Sequence, residues 1–452
     1  MSPAVHVHFS RRMLAALTVL LVAPWLVIAA AAHRGWLTVG SDREAVSRTE
    51  EAASESSPAS GSSAGPVSHT EAVASLPDGR RTISETVIPG KPGPWGQLSY
   101  VPITLSLPDE FIFVPPANQP PVRWVFHGMS KEQAIELLQA AGVPAAEVTK
   151  LQGQAKWTVN PAGIALEPGD ELLLGLSPDV RAKLYTRLVE FPENQRQIDP
   201  VWFRPDRLEE HLKQGGLSTT SLELLKGLLY PQGPSLLLFA DFEPALRRLP
   251  DEAERRRMVK VLMRKEALLA RLRVGPQSDV EALASYWGVG GRHKDVLPLL
   301  KAMQRVEGGT EINIICLLPH FVRDHLWTYP FATAGLDSVK QDCFWSAFNF
   351  FNGDDPVDRF NDMAYIREVL KKDYYTITEP SQLGDLLLLS ARNEAVVHAA
   401  VYVADDLVFT KNGESYTQPW ILMRMEDMLD TYNVRYPSSG PVTRVCFRLK
   451  SL

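Results

Sequence analysis

Three short apolar runs near the C-terminus, Leu386–Leu389, Val396–Val403 and Leu407–Asn412, limit the fold more than any other feature of the chain. Each is too short for a buried helix, begins with Leu or Val, and is bounded by Gly384-Asp385 or Asp405-Asp406. They are therefore expected as neighbouring antiparallel strands. In the second run His398, Ala400 and Tyr402 share a face, because side chains alternate along a strand. Upstream, Asp342 precedes Cys343 and a run containing Phe344, Trp345, Ala347, Phe348 and Phe350. That pattern predicts a helix buried on most sides, with Asp342 as its N-cap. A helix N-terminus offers unpaired N–H groups and a positive dipole end, which favour a thiolate.

The chain order is thus thiol, imidazole, polar residue. His398 is the candidate base for Cys343, and the third residue depends on hairpin register. A three-residue turn centred on Asp405 sets Asn412 opposite His398. A two-residue turn at Asp405 and Asp406 brings Lys411 to the diagonal instead. Asn412 is the better partner for an imidazole, since a lysine ammonium has no lone pair to give.

Residues 320–452 resemble the catalytic domain of the NlpC-type cell-wall peptidases, a branch of the papain-like cysteine peptidases. The resemblance rests on Asp342-Cys343, on Gly384-Asp385-Leu386, and on His398-Ala399-Ala400-Val401-Tyr402 ahead of a hairpin. It implies Cys343 as nucleophile, His398 as general base, and oxyanion donors at the helix N-terminus. It also implies hydrolysis of the amide between D-glutamate and a diamino acid in peptidoglycan, through an acyl-thioester. Phe344-Trp345-Ser346 stands where the family places a small Ser-Gly pair, and Ala400 where it has glycine. Asp342, Trp345 and Tyr402 are the expected substrate contacts, with Asp342 meeting the free amino end of a stem peptide. No metal or cofactor is expected. Two other readings use the same residues: an acyl or amide transferase, and a non-catalytic envelope module that keeps the fold.

The rest of the chain gives this unit a setting. A length of 452 residues suggests two or three domains, and a net charge of -6 argues against a nucleic-acid partner. Arg11 and Arg12 precede the uncharged run Met13–Ala32, which predicts an export signal or an uncleaved membrane anchor over residues 1–32. Residues 33–84 are rich in Ser, Ala, Glu and Pro and are expected to be a flexible tether. Residues 85–319 then form a mixed α/β body of one unit or of two, 85–176 and 177–319, available to an envelope protein partner. The expected class is α+β, and the expected localisation is the periplasm or envelope. Within the body, Ser130 with Gln133 predicts a capped helix ending at Gly142, and Ser177-Pro178 another. Residues 156–174 read as strands and 311–318 as a buried strand. Helices are expected at 206–214, 219–230, 250–273 and 278–286, the third with a solvated basic face. No internal repeat is visible. Three cysteines, Cys316, Cys343 and Cys446, leave at least one thiol unpaired. His320 with Asp324 reads as a surface pair, and Tyr286, Trp287 and Arg292 belong to a glycine-rich loop that reads either as a plain turn or as a contact for an acidic or sugar ligand.

Overall fold

The computed structural model describes residues 81–83, 86–116, 118–160, 163–213, 215–330, 340–353, 355–391, 395–435 and 440–452. The apolar run and most of the tether lie outside the described residues. Among the described residues no helix is long and apolar enough to cross a membrane.

The architecture is α+β with antiparallel sheets, and its pivot is a segment whose composition favours helix. Residues 250–273 do not form one helix: Glu252–Leu262 is helical, and Lys265–Val274 is a strand. Along that strand Ala270, Leu272 and Val274 are buried while Arg271 and Arg273 are exposed, a two-residue period. It pairs on one side with Gln97–Leu105 and on the other with Thr310–Asn313. A helix preference of a few tenths of a kcal/mol per residue, about the span of the ordinary scale, loses to two ladders and a buried face. The run from Glu311 likewise stops being a strand at Asn313, whose side chain accepts the N–H of Ile315 and starts the 3-10 turn Ile314–Leu317.

The second large sheet has six strands in the order Tyr374–Ile377, Thr443–Leu449, Leu386–Ser390, Val396–Ala404, Leu407–Lys411, Trp420–Arg424. One apolar core joins both sheets: Leu98, Tyr100 and Leu272 pack in the same cluster as Trp287, Leu386, Phe409 and Trp420. The boundary expected near residue 320 therefore corresponds to no break in packing. Gly384-Asp385 is structural. Asp385 is fully buried, accepts the N–H groups of Ser381 and Gln382, and pairs with Arg448 at 2.6 Å.

Leu105 pairs with Lys265, so everything between them is an insertion at one end of a hairpin. That insertion is a tandem repeat, contrary to the expectation of none. The first unit runs strand Trp124–His127, helices Lys131–Ala140 and Ala145–Gln154, strands Lys156–Asn160 and Gly163–Glu167, helices Asp170–Gly175 and Pro178–Leu188. The second runs strand Val201–Phe203, helices Leu208–Lys213 and Thr219–Leu228, strands Tyr230–Gln232 and Leu236–Phe239, helices Phe242–Arg248 and Glu252–Leu262. In each three-stranded sheet the last strand lies in the middle. The loop between the first two helices turns at Gly142 (φ 92°) in one unit and Gly216 (φ 64°) in the other, a left-handed conformation that glycine adopts without strain. Ser177 and Asp251 cap the last helices by accepting the N–H of Val180 and Glu254. Buried Leu151, Leu184 and Leu188 match buried Leu225, Met258 and Leu262, each pair 74 positions apart. Burial and caps repeat at every named position while residue identity is kept only at scattered ones, Leu151 and Leu225, Leu188 and Leu262, Gly142 and Gly216, which is why the sequence alone hides the duplication.

Candidate functional site

The helix Cys343–Phe348 begins as expected: Asp342 Oδ1 accepts the N–H of Trp345 at 2.8 Å, and Ser346 Oγ donates to the Asp342 carbonyl at 2.6 Å. The helix lies on one face of the six-stranded sheet. Phe350, just beyond it, meets Phe409 with ring centroids 5.8 Å apart, and Trp420 Nε1 donates to Ser346 Oγ at 2.7 Å. Trp420 pairs with Lys411, so Phe409, Lys411 and Trp420 share this face and Thr410 points to the other.

His398 goes with Thr410. Its Nε2 lies 2.8 Å from Thr410 Oγ1 and its Nδ1 2.7 Å from the hydroxyl of Tyr432, whose ring stacks on the imidazole at 4.2 Å. Tyr432 belongs to the helix Met425–Arg435, which covers that opposite face. The expected Cys343–His398 dyad is therefore not assembled: the pleat sends the imidazole away from the cysteine helix. Cys343 instead meets the backbone N–H of Ala399, the next residue along the strand.

Burial dominates the chemistry of the thiol. Cys343 is 6% exposed, and its pKa is pushed up to about 12 by burial first and then by the negative charge of Asp342. The Ala399 N–H and the charge of Lys411 pull the other way, without prevailing. Lys411, fully buried, donates from Nζ to the carbonyls of Gly413 at 2.7 Å and Ser415 at 3.0 Å. Burial lowers its pKa to about 8, against the charges of Cys343 and Asp342. Burial also raises the carboxyl of Asp342, against the N–H of Trp345.

The remaining expected site residues take structural places. Hairpin register combines the two alternatives: Ala404 pairs with Leu407 across a two-residue turn, and a bulge restores Val401 opposite Phe409. Asn412 nevertheless does not hold His398. Its Nδ2 donates to Met423 Sδ at 3.4 Å, and its Oδ1 is buried without a hydrogen bond. Trp345 is interior, packed against Phe321 and His325 at 5.2 and 5.6 Å between centroids. Tyr402 is buried, donates to the Asp405 carbonyl at 3.0 Å and packs edge-on to Trp95. Tyr286 and Trp287 donate to the carbonyls of Val403 and Trp95, and Arg292 to those of Leu317, Trp287 and Val289. These three are braces rather than ligand contacts. His320 and Asp324 pair at 3.3 Å on the exposed side of the short helix His320–His325. Among the described residues no three His, Cys, Asp or Glu side chains gather as a metal site. All three cysteines are free, with Cys316 exposed.

Two residues that matter to His398 escaped the sequence. Thr410 was findable from parity, being two residues along the strand from Val408, which faces Tyr402. Tyr432 was not, because nothing in the sequence says which face the last helix covers. Comparison of the chain with protein-family models, curated proteins and solved structures finds no match.

Proposed function

We propose that this chain is an exported, non-catalytic envelope protein, in which a papain-like C-terminal unit serves as a rigid platform for the inserted tandem repeat. The observation that carries this reading is the separation of imidazole and thiol onto opposite faces of one sheet, with His398 engaged by Thr410 and Tyr432. Nucleophilic catalysis needs the base within hydrogen-bond reach of the nucleophile. A thiol held near pKa 12 in a buried niche is overwhelmingly protonated at neutral pH. The helix N-terminus that favours a thiolate is here capped by the carboxylate of Asp342, which disfavours one.

The test is product analysis. The full chain and its Cys343→Ala variant are incubated with intact peptidoglycan and with isolated stem peptides, and new amino termini are sought by mass spectrometry. The expected result is no product that depends on Cys343. A product that disappears in Cys343→Ala overturns the reading. Export is tested separately by fractionation and N-terminal sequencing of the mature chain: residence in the envelope fraction supports it, and residence in the cytosol refutes it.

One observation favours a second reading, a thiol amidohydrolase or transferase that uses Lys411 as base. Lys411 shares the face of the cysteine helix, and its amine is lowered to about 8, near the range of a working base. In that chemistry the neutral amine takes the thiol proton, sulfur attacks the carbonyl carbon, and the leaving amine departs with the proton. Water or an acceptor amine then cleaves the acyl-thioester. Product formation abolished in Lys411→Met but retained in His398→Ala marks this route.

A further inference from the structure

The two repeats differ where their helices meet. In the second repeat the first and last helices close on each other: His211 Nε2 lies 3.0 Å from the Val261 carbonyl, and a Cβ on Gly215 would sit 2.4 Å from Val261 Cγ2. The chain's own turn Asp109–Phe111 lies against the outer side of its last helix. Lys260 Nζ binds Asp109 Oδ1 at 2.9 Å and Arg256 donates to the Asp109 carbonyl at 3.0 Å. Leu107 and Ile112, on either side of that turn, are buried in the second repeat's core.

Among the described residues no such segment lies on the first repeat. Its caps align Ser177 with Asp251, so Ala182 and Thr186 stand where Arg256 and Lys260 stand in the second unit. Here those two positions line an open groove of about 830 Å³ between the helices Lys131–Ala140 and Pro178–Leu188. Leu137, Ala140 and Ala182 give it an apolar surface, and Lys183 and Arg187 line the same helix one step round from Ala182 and Thr186. The pair Lys183 and Arg187, four residues apart, reproduces the spacing of the cations that hold Asp109. Glu136 lines the other helix, so a carboxylate is attracted to the Lys183 side.

We propose that this groove docks a short segment of a partner protein in which an acidic residue is followed by large apolar side chains, the chemistry of Leu107-Pro108-Asp109-Glu110-Phe111-Ile112 on the sister repeat. Duplication supplies the argument: the last helix of the sister repeat already holds a segment of that kind, through Arg256 and Lys260 at the positions of Ala182 and Thr186. Complementary charge on the rim orients the segment, and the apolar surface holds it. The proposal stands whether or not Cys343 does chemistry.

A fluorescein-labelled peptide copying residues 107–113 is the probe, titrated by anisotropy against the full chain. Saturable binding is expected, weakened about tenfold or more by Lys183→Glu with Arg187→Glu, and abolished by filling the groove with Ala182→Trp. A peptide with Ala in place of Phe111 and Ile112 should not bind. Absence of binding, or binding that ignores the groove variants, overturns the proposal. So does binding lost only in Arg256→Glu with Lys260→Glu, which would mean that the peptide displaces the chain's own turn. A dimer in light scattering that dissociates in Lys183→Glu with Arg187→Glu also overturns it, by assigning the groove to a second copy of this chain.

Discussion

Arg181 joins the two repeats, and replacing it with Met should weaken the molecule in a way that grows with pH. Its side chain is wholly buried; Nε meets Asp241 Oδ2 at 2.7 Å and Nη2 donates to the Leu173 carbonyl at 2.8 Å. Asp241 also accepts from the hydroxyl of Tyr185, and burial pushes its carboxyl up to about 6 against the opposing pull of Arg181. In Arg181→Met the carboxyl loses that pull, so its folded pKa rises further above its unfolded value. A raised acid pKa gives stability that is present below the unfolded value, near 4, and lost as pH rises through the folded value. Breaking a buried pair from one side costs about 3–5 kcal/mol, a large part of a typical 5–15 kcal/mol. That full cost is expected at pH 8, and a smaller one at pH 5, where the lone carboxyl takes a proton. Urea titration followed by tryptophan fluorescence reads it, since Trp124 packs edge-on to Tyr185 at 6.3 Å. A cost below about 1 kcal/mol at pH 8, or one equal at both pH values, would refute the reasoning.

Ser346→Ala leaves Trp420 Nε1, now bonded at 2.7 Å in a fully packed site, without its acceptor. A loss of about 1–3 kcal/mol in chemical denaturation is expected, and a neutral effect contradicts the assigned bond. Asp406 is raised to about 6 by burial first and then by Glu426, against Arg424. Wild type should therefore lose stability as pH rises from about 4 to about 6, and Asp406→Asn should make that decline shallower and gain about 1–2 kcal/mol at pH 7.5, allowing for partial solvent screening. An unchanged pH profile in the variant sinks that assignment.

Local signals were legible in the sequence and long-range geometry was not. The capping box at Ser130 and Gln133, the Asp342 cap and the Leu407–Lys411 return strand all follow from contacts within a few residues. The strand Lys265–Val274 does not, because its partners lie far away in sequence, at Gln97–Leu105 and Thr310–Asn313. The candidate dyad failed for the same reason. Sequence parity grouped His398 with Ala400 and Tyr402, and that grouping is what the sheet shows. What parity cannot say is which face receives the cysteine helix. That choice was made by Phe350 on Phe409 and Ser346 on Trp420, while Tyr432 came to the other side. The tandem repeat stayed hidden because a cap can be Ser177 or Asp251 and a core position Leu184 or Met258 without changing the fold.

The most direct test of the central claim is the alkylation rate of Cys343 by iodoacetamide at pH 7.5, resolved by peptide mapping against exposed Cys316 in the same chain. A thiol held near 12 carries so little thiolate that Cys343 should react on the order of a hundredfold more slowly than Cys316, with no change in His398→Ala. Labelling of Cys343 faster than Cys316, and suppressed by His398→Ala, would show a working thiol–imidazole pair and contradict the account.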